Sequence, residues 1–282
     1  MYEYRSQAAA ANTSKEPVSA EHARYLKNLK RRKAMVRSTQ ILLLVLLFTL
    51  WEVFARVGVI DPFITSQPSR IIDTVQTLYA EGALFKHIGV TCLETIIGFL
   101  LGTMLGVLIA IMLWWSKFLS QVSEPYLVVL NSLPKIALGP VFIVWIGAGP
   151  VAIIAMTLAI SLIVTILEVL NGFVNIDSDK IKLVRSFGGT KYQILIKVLL
   201  PASFPNIINA LKVNVGLSWV GVIVGEFLVS KAGLGYLIVY GGQVFKLDMV
   251  MTSVVILAIA ATIMYQGVIY FEQYVLRKSR LI

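Results

Sequence analysis

Few residues in this chain are equipped for chemistry. There are 2 histidines, His22 and His87, and a single cysteine, Cys92. They are scattered, so zinc ligation and thiol redox chemistry lack their usual constellation, and one cysteine cannot form an internal disulfide. The strings C-x-x-C, H-E-x-x-H and G-x-x-x-x-G-K-[ST] do not occur, which leaves redox, zinc-hydrolase and self-contained ATPase activities without a motif. What stands out is a pair of carboxylates in apolar stretches, Glu94 and Glu226. A carboxylate buried in a membrane costs a few kcal/mol unless it is paired or hydrated. Neither has clustered His, Asp or Ser at catalytic spacing, so a membrane-embedded enzyme is disfavoured. For Glu94 a pathway role and a hydrogen bond to a neighbouring helix are both open.

Those residues need elements to hold them. Of the 282 residues 57% are hydrophobic and 14% charged, against roughly 45–50% and about 25% in a soluble domain. The excess is gathered into blocks of the ~20 residues that cross a bilayer as a helix. Six stretches qualify: 40–57, 93–114, 122–146, 151–170, 202–228 and 249–271. The chain reads as an all-α membrane protein of about six transmembrane helices. Pro134 and Pro140 interrupt the third stretch, which predicts a bend sheltered by protein or water. Gly98-x-x-x-Gly102-x-x-x-Gly106 in the second predicts a close helix approach. Asn214, Ser218, Gly221, Val222 and Gly225 put a small or polar stripe on one face of the fifth, which ends with Glu226. That stripe must face protein or water, as a packing seam or as a translocation path. Lys212, near the inner end, is expected to snorkel to the interface. Between the first two spans, Ser66-Gln67-Pro68 announces a helix start. Ile71, Ile72, Val75, Leu78 and Tyr79 then share a face, which predicts an external amphipathic helix lying on the bundle.

The net charge of +10 is mainly a topology signal. Basic residues from Arg5 to Arg37 precede the first span. Lys180, Lys182, Arg185, Lys191 and Lys197 fall between the fourth and fifth, and Arg277, Lys278 and Arg280 close the chain. With six crossings the positive-inside rule places all three groups, and both termini, in the cytoplasm. Residues 1–37 read as a cytoplasmic tail in which Ala23, Leu26, Leu29 and Ala34 line a short basic amphipathic helix on the membrane surface. Its charge suits anionic lipid headgroups, and no nucleic-acid partner is expected. Residues 38–282 read as the transmembrane domain.

The inner loop at about 171–200 is too long for a connector. Ile181, Val184 and Phe187 recur at helical spacing before Gly188-Gly189, which should end that helix. Tyr192, Leu195, Ile196 and Leu199 mark a second amphipathic stretch before Pro201. A short helix beneath a bundle is a docking surface. Arg185-Ser186-Phe187-Gly188-Gly189-Thr190-Lys191-Tyr192-Gln193, then Val198-Leu199-Leu200-Pro201 and Pro205, resembles the EAA motif of permease subunits of bacterial ABC importers. The glycine-to-proline spacing fits, while Lys182, Leu183 and Val184 stand where the family has Glu, Ala and Ala. The resemblance runs from about Phe63 to Tyr274. It includes Gln67-Pro68-Ser69, Gly82-Ala83-Leu84, Leu133-Pro134-Lys135-Ile136-Ala137-Leu138-Gly139-Pro140, Trp145-Ile146-Gly147, and Gly225-Glu226 with Gly233-Leu234-Gly235-Tyr236. These are similar to the nitrate, sulfonate, taurine and bicarbonate branch of the binding-protein-dependent transport family.

The resemblance implies a type I ABC importer permease (MetI-like) bundle with a cytoplasmic coupling helix, set in the bacterial inner membrane and paired with a second copy as a homodimer. It implies ABC ATPase subunits bound inside and an extracytoplasmic solute-binding protein outside. ATP and Mg would belong to the partner ATPase, with no cofactor and no enzymatic site in this chain. Docking residues are then expected at Ile181, Lys182, Val184, Arg185, Ser186, Phe187, Gly188, Gly189 and Tyr192. By position, Asn131 and Ser132 before the Pro134 break, with Asn214, Ser218, Trp219 and Glu226 on the fifth span, are the candidates to line a translocation pathway. The competing reading is a stand-alone ion-coupled carrier or channel, which has no use for a docking helix.

Overall fold

The computed structural model describes residues 20–279, in which helices follow one another without a strand. The chain divides into two units, 1–60 and 61–282. In the first, α1 (Ala20–Val57) is one uninterrupted helix of 38 residues, about 57 Å long at 1.5 Å per residue. The basic segment and the first span therefore share a single axis. That length exceeds the ~30 Å hydrocarbon core of a bilayer. Expectations for residues 1–19 and 280–282 lie outside the described residues.

The second unit opens with α2 (Pro62–Thr65) and α3 (Pro68–Ala80). Pro68 occupies the first turn of α3, where its missing N–H costs nothing. Ser66 is not the cap: Gln67 holds that position, and the Ser66 hydroxyl instead donates to Asp248 at 2.7 Å. Ile71 and Leu78 bury the helix against the bundle, whereas Ile72 and Tyr79 point outward. The expected face is thus real but narrower than the sequence suggested.

Helices α4 (Ala83–Trp115), α7 (Pro150–Val174) and α10 (Leu200–Val229) form the centre. Gly98, Gly102 and Gly106 of α4 face Thr157, Ser161 and Thr165 of α7, and a Cβ on any of the three glycines would stand 2.6 Å from its partner's side chain. Residue numbers rise together along this seam, so α4 and α7 run parallel. Small residues admit the backbones to a distance at which dispersion and local hydrogen bonds replace the hydrophobic drive that lipid does not supply. Along α10 the order reverses: Gly225 meets Ile153, Gly221 meets Thr157, and the Ser203 hydroxyl donates to the Gly172 carbonyl at 3.2 Å. Hence α10 is antiparallel to α7. The α10 stripe of small and polar residues packs into this seam.

Two parallel helices require the chain to return between them. It does so through α5 (Lys117–Ser132), a 3-10 turn (Lys135–Leu138) and α6 (Gly139–Ile146), whose arms meet at 90°. The break falls at Leu133-Pro134, where proline removes a donor and its ring obstructs the preceding turn. Pro140 sits harmlessly in the first turn of α6. Among the described residues five helices are long and apolar enough to span a membrane, and this bent pair, taken as one span, makes a sixth.

After α7 come α8 (Ser178–Ser186), α9 (Lys191–Ile194) and a π turn (Leu195–Leu199) that runs directly into α10. The second amphipathic stretch is therefore the foot of the fifth span. Leu195 and Leu199 are buried with Ala110, Val169, Phe173 and Ala210. At the other end, α11 (Leu234–Gln243) packs beside α3 through Leu78, Leu84, Leu234 and Leu237. The last helix, α12 (Leu247–Ser279), returns antiparallel to α10. Lys212 does not snorkel. Its ammonium lies 2.9 Å from the Glu272 carboxylate, with side-chain exposures of only 19% and 9%, and this ion pair between α10 and α12 offsets part of the cost of burying both charges.

Candidate functional site

At the end of the bundle where α7 stops and α10 begins, α8 projects as a separate helix. Asp177 caps its start, accepting the Asp179 amide at 2.9 Å. Its termination is a Schellman turn: the Gly189 amide donates to the Val184 carbonyl and the Gly188 amide to the Arg185 carbonyl, each at 2.9 Å. Gly188 takes φ 75°, and a Cβ on Gly189 would lie 2.5 Å from Val184 Cγ1. Gly188 is thus favoured by conformation, and Gly189 is required by space.

The helix spans Ser178–Ser186, starting three residues earlier than Ile181 and stopping before Phe187. Ile181 and Val184 are half-buried, while Lys182, Arg185, Ser186 and Gly188 are exposed. Lys182 pairs with Asp179 at 2.9 Å, and the Ser186 hydroxyl donates to the Leu183 carbonyl at 2.7 Å. Phe187 is 83% exposed and Tyr192, beyond the turn, 61%. Two exposed aromatic rings, Phe187 in the turn after α8 and Tyr192 at the foot of the fifth span, mark a contact surface at this end of the bundle.

The opposite end holds the Glu94 and Glu226 carboxyls, 5% and 2% exposed. They face each other across α4 and α10. Every helix leaves its first amides without intrahelical partners. For α11 those amides are met by side chains of other helices: Gly233 donates to His87 Nδ1 at 2.9 Å, Leu234 to Thr91 Oγ1 at 2.7 Å and Gly235 to Glu226 Oε2 at 2.6 Å. His87 and Thr91 are one turn apart on α4, and the His87 ring stacks on Tyr236 at 5.9 Å. Gly233, at φ 118°, leaves no room for a Cβ beside the Glu226 carboxylate. His87 Nδ1, Thr91 Oγ1 and Glu226 Oε2 thus accept the chain's own amides, so this cluster fastens the start of α11. Among the described residues no three His, Cys, Asp or Glu side chains gather as a metal site.

A cavity of about 440 Å³ opens beside α3 and the α11–α12 turn, lined by Arg70, Asp73, Thr74, Lys246 and Asp248 among others. Arg70 lies 3.9 Å from Asp248, so its charge is already compensated.

The residues read as a pathway are not brought together. Asn131 and Ser132 are exposed on α5. Asn214, Ser218, Trp219 and Glu226 are buried within the chain, at 1%, 0%, 8% and 2% exposure. Asn214 Nδ2 donates to Thr103 Oγ1 at 2.7 Å. Sequence reasoning passed over His87, Thr91, Gly233 and Gly235 as a working set. The signal was present in polar residues at i and i+4 near the start of an apolar helix, but their partners lie more than a hundred positions away.

Comparison with known proteins places this geometry. Residues 102–280, more than half of the chain, match the family described as "Binding-protein-dependent transport system inner membrane component". A putative aliphatic sulfonates transport permease protein, SsuC, of Bacillus subtilis is 29% identical over 78% of this chain and 79% of its own. The formylaminopyrimidine transport permease protein ThiX of Halalkalibacterium halodurans is 28% identical over 69% and 77%. The taurine transport system permease protein TauC of Escherichia coli is 21% identical over 79% and 83%. Among solved structures, the inward-facing MetNI methionine ABC transporter superposes with a TM-score of 0.61 at 21% identity, covering 70% of this chain and 97% of that one. A bacterial alginate ABC transporter in complex with a pentasaccharide-bound periplasmic protein gives 0.59 at 14% identity, covering 88% and 97%. These likenesses confirm the type I importer bundle as the fold. The chain belongs to the inner membrane components of binding-protein-dependent transport systems, and is a membrane-spanning permease subunit of an ABC importer.

Proposed function

We propose that α8 and the turn after it are the seat of the ATPase subunit, and that this chain converts nucleotide-driven closure of that partner into a change of access across the membrane. One observation carries the reading: a short capped helix, ended by a two-glycine turn, presents Phe187 at 83% exposure beneath the bundle. Phe187 and the half-buried Val184 supply apolar contact, while Arg185, Lys182, Ser186 and Tyr192 supply the polar rim. Ile181 supports the helix from its half-buried side. ATP and Mg bind in the partner, and this chain contributes no catalytic group. The end bearing α8 is cytoplasmic, since Lys180, Lys182, Arg185, Lys191 and Lys197 cluster there. Both termini then face the cytoplasm of a bacterial cell, across its inner membrane, and α3 and α11 face outward, toward an external binding protein.

A second copy of the chain completes the pathway. The pathway candidates Asn214, Ser218, Trp219 and Glu226 are buried inside one subunit, which favours a solute route along a surface shared between copies. There Asn131 and Ser132, exposed beside the Pro134 bend, are the better candidates. The solute belongs to the small polar class for which the sulfonate, taurine and formylaminopyrimidine relatives are named. The test is Phe187→Asp in the full complex. Loss of ATPase subunits on co-purification, with the permease itself still folded, is expected; undiminished association removes the proposal. Solute uptake by the purified permease alone would favour the carrier reading.

A further inference from the structure

One residue fastens the stretch just after the docking helix to the foot of α4. Thr190 and Gln193 close a reciprocal box at the start of α9: the Gln193 amide donates to Thr190 Oγ1 at 3.3 Å and the Thr190 amide to Gln193 Oε1 at 2.8 Å. Lys191 lies between them, its backbone held by this box. Its ammonium lies 5.6 Å from the Trp114 ring centroid and 5.4 Å from that of Trp115, and it donates to the Trp115 carbonyl. That carbonyl belongs to the last turn of α4, where carbonyls lack intrahelical partners and a cation complements the helix dipole. The indole faces attract the same charge.

What Lys191 grips is a helix of 33 residues that runs from one end of the bundle to the other. Along its length α4 interlocks with α7 at Gly98, Gly102 and Gly106. At its other end His87 and Thr91 hold the first amides of α11. We propose that Lys191 is a positioning residue through which movement of the docking helix enters α4, its ammonium gripped by Trp114, Trp115 and the Trp115 carbonyl. The inference rests on the reading of α8 as the ATPase seat. A lysine that merely anchored the loop at the lipid interface would need no carbonyl partner across 76 residues of chain.

The experiment is hydrogen–deuterium exchange on the complete complex with its ATPase subunits, before and after trapping with ATP, Mg and vanadate. In the wild type, trapping should change exchange by about threefold or more in peptides covering both 178–189 and 107–116. Lys191→Met should keep the change at 178–189 and lose it at 107–116, while Lys191→Arg, which also stacks on indoles, should retain both. Trp115→Leu attacks the same contact from α4 and should reproduce the Met variant. Retention of the wild-type change at 107–116 in both Lys191→Met and Trp115→Leu overturns the proposal, as does a wild-type response confined to 178–189. Absence of any wild-type response at 178–189 instead sinks the docking reading beneath it.

Discussion

The Glu226 carboxylate accepts the Gly235 amide at 2.6 Å, so that a side chain of α10 completes the start of α11 nine residues further on. A helix that begins on glycine has no side chain of its own with which to cap. Here the missing cap is supplied by Glu226, His87 and Thr91, and the two glycines are the residues that let a carboxylate approach so closely.

Glu226→Ala should leave the Gly235 amide buried and unbonded, a loss of about 1–3 kcal/mol. Glu226→Gln keeps an acceptor oxygen and should lose less than half of that. Thermal melts of the purified permease in detergent would separate the two; equal melting temperatures for wild type and Glu226→Ala would refute the capping role.

The seam between α4 and α7 predicts a specific rescue. Gly106→Ala drives a Cβ to 2.6 Å from Thr165 Cγ2, a misfit of about 1–3 kcal/mol. Adding Thr165→Gly removes the obstructing methyl and should restore more than half of the lost stability. Strictly additive losses in this double-mutant cycle would mean that the contact is not what sets the spacing.

The pair of Lys212 and Glu272, 2.9 Å apart, joins α10 to α12. Removing one charge takes the close counter-ion from the other in a poorly solvated place, so Lys212→Met and Glu272→Gln should each lower expression and melting temperature. The double variant Lys212→Met with Glu272→Met should recover toward wild type. A double variant worse than either single one would contradict the pairing.

The two glycines after α8 should respond differently to substitution. Asn tolerates left-handed φ, so Gly188→Asn should be mild. Gly189→Ala meets both Val184 Cγ1 at 2.5 Å and the Val184 carbonyl oxygen at 2.6 Å, and the backbone oxygen cannot step aside. Affinity for the ATPase subunit should therefore fall more for Gly189→Ala than for Gly188→Asn. Indistinguishable affinities would show that the turn does not set the angle of the docking helix.

Much was legible without coordinates, because a bilayer imposes a length and an apolarity that local sequence must meet by itself. The six spans, the bend at Pro134, the helix opening at Pro68, the end of α8 at Gly188-Gly189 and the close approach along Gly98, Gly102 and Gly106 all follow from one stretch of chain at a time. Periodicity misjudged edges where polar residues hide inside a helix. Lys86 and His87 made the second span look as if it began ten residues later than α4 does, and Tyr192 to Leu199 looked like a separate helix because the π turn that joins them to α10 leaves no mark in composition.

Only tertiary structure decided what the buried polar residues do. Glu226 has no visible partner until Gly235 is beside it; Lys212 reads as a snorkelling lysine until Glu272 arrives from α12; and Lys191 is one more cation until Trp114 and Trp115 stand under it. A polar side chain inside a membrane must find a partner, and sequence states that requirement without naming the partner. The name comes from helices far apart in the chain, whose register is set by glycines that allow their backbones to touch.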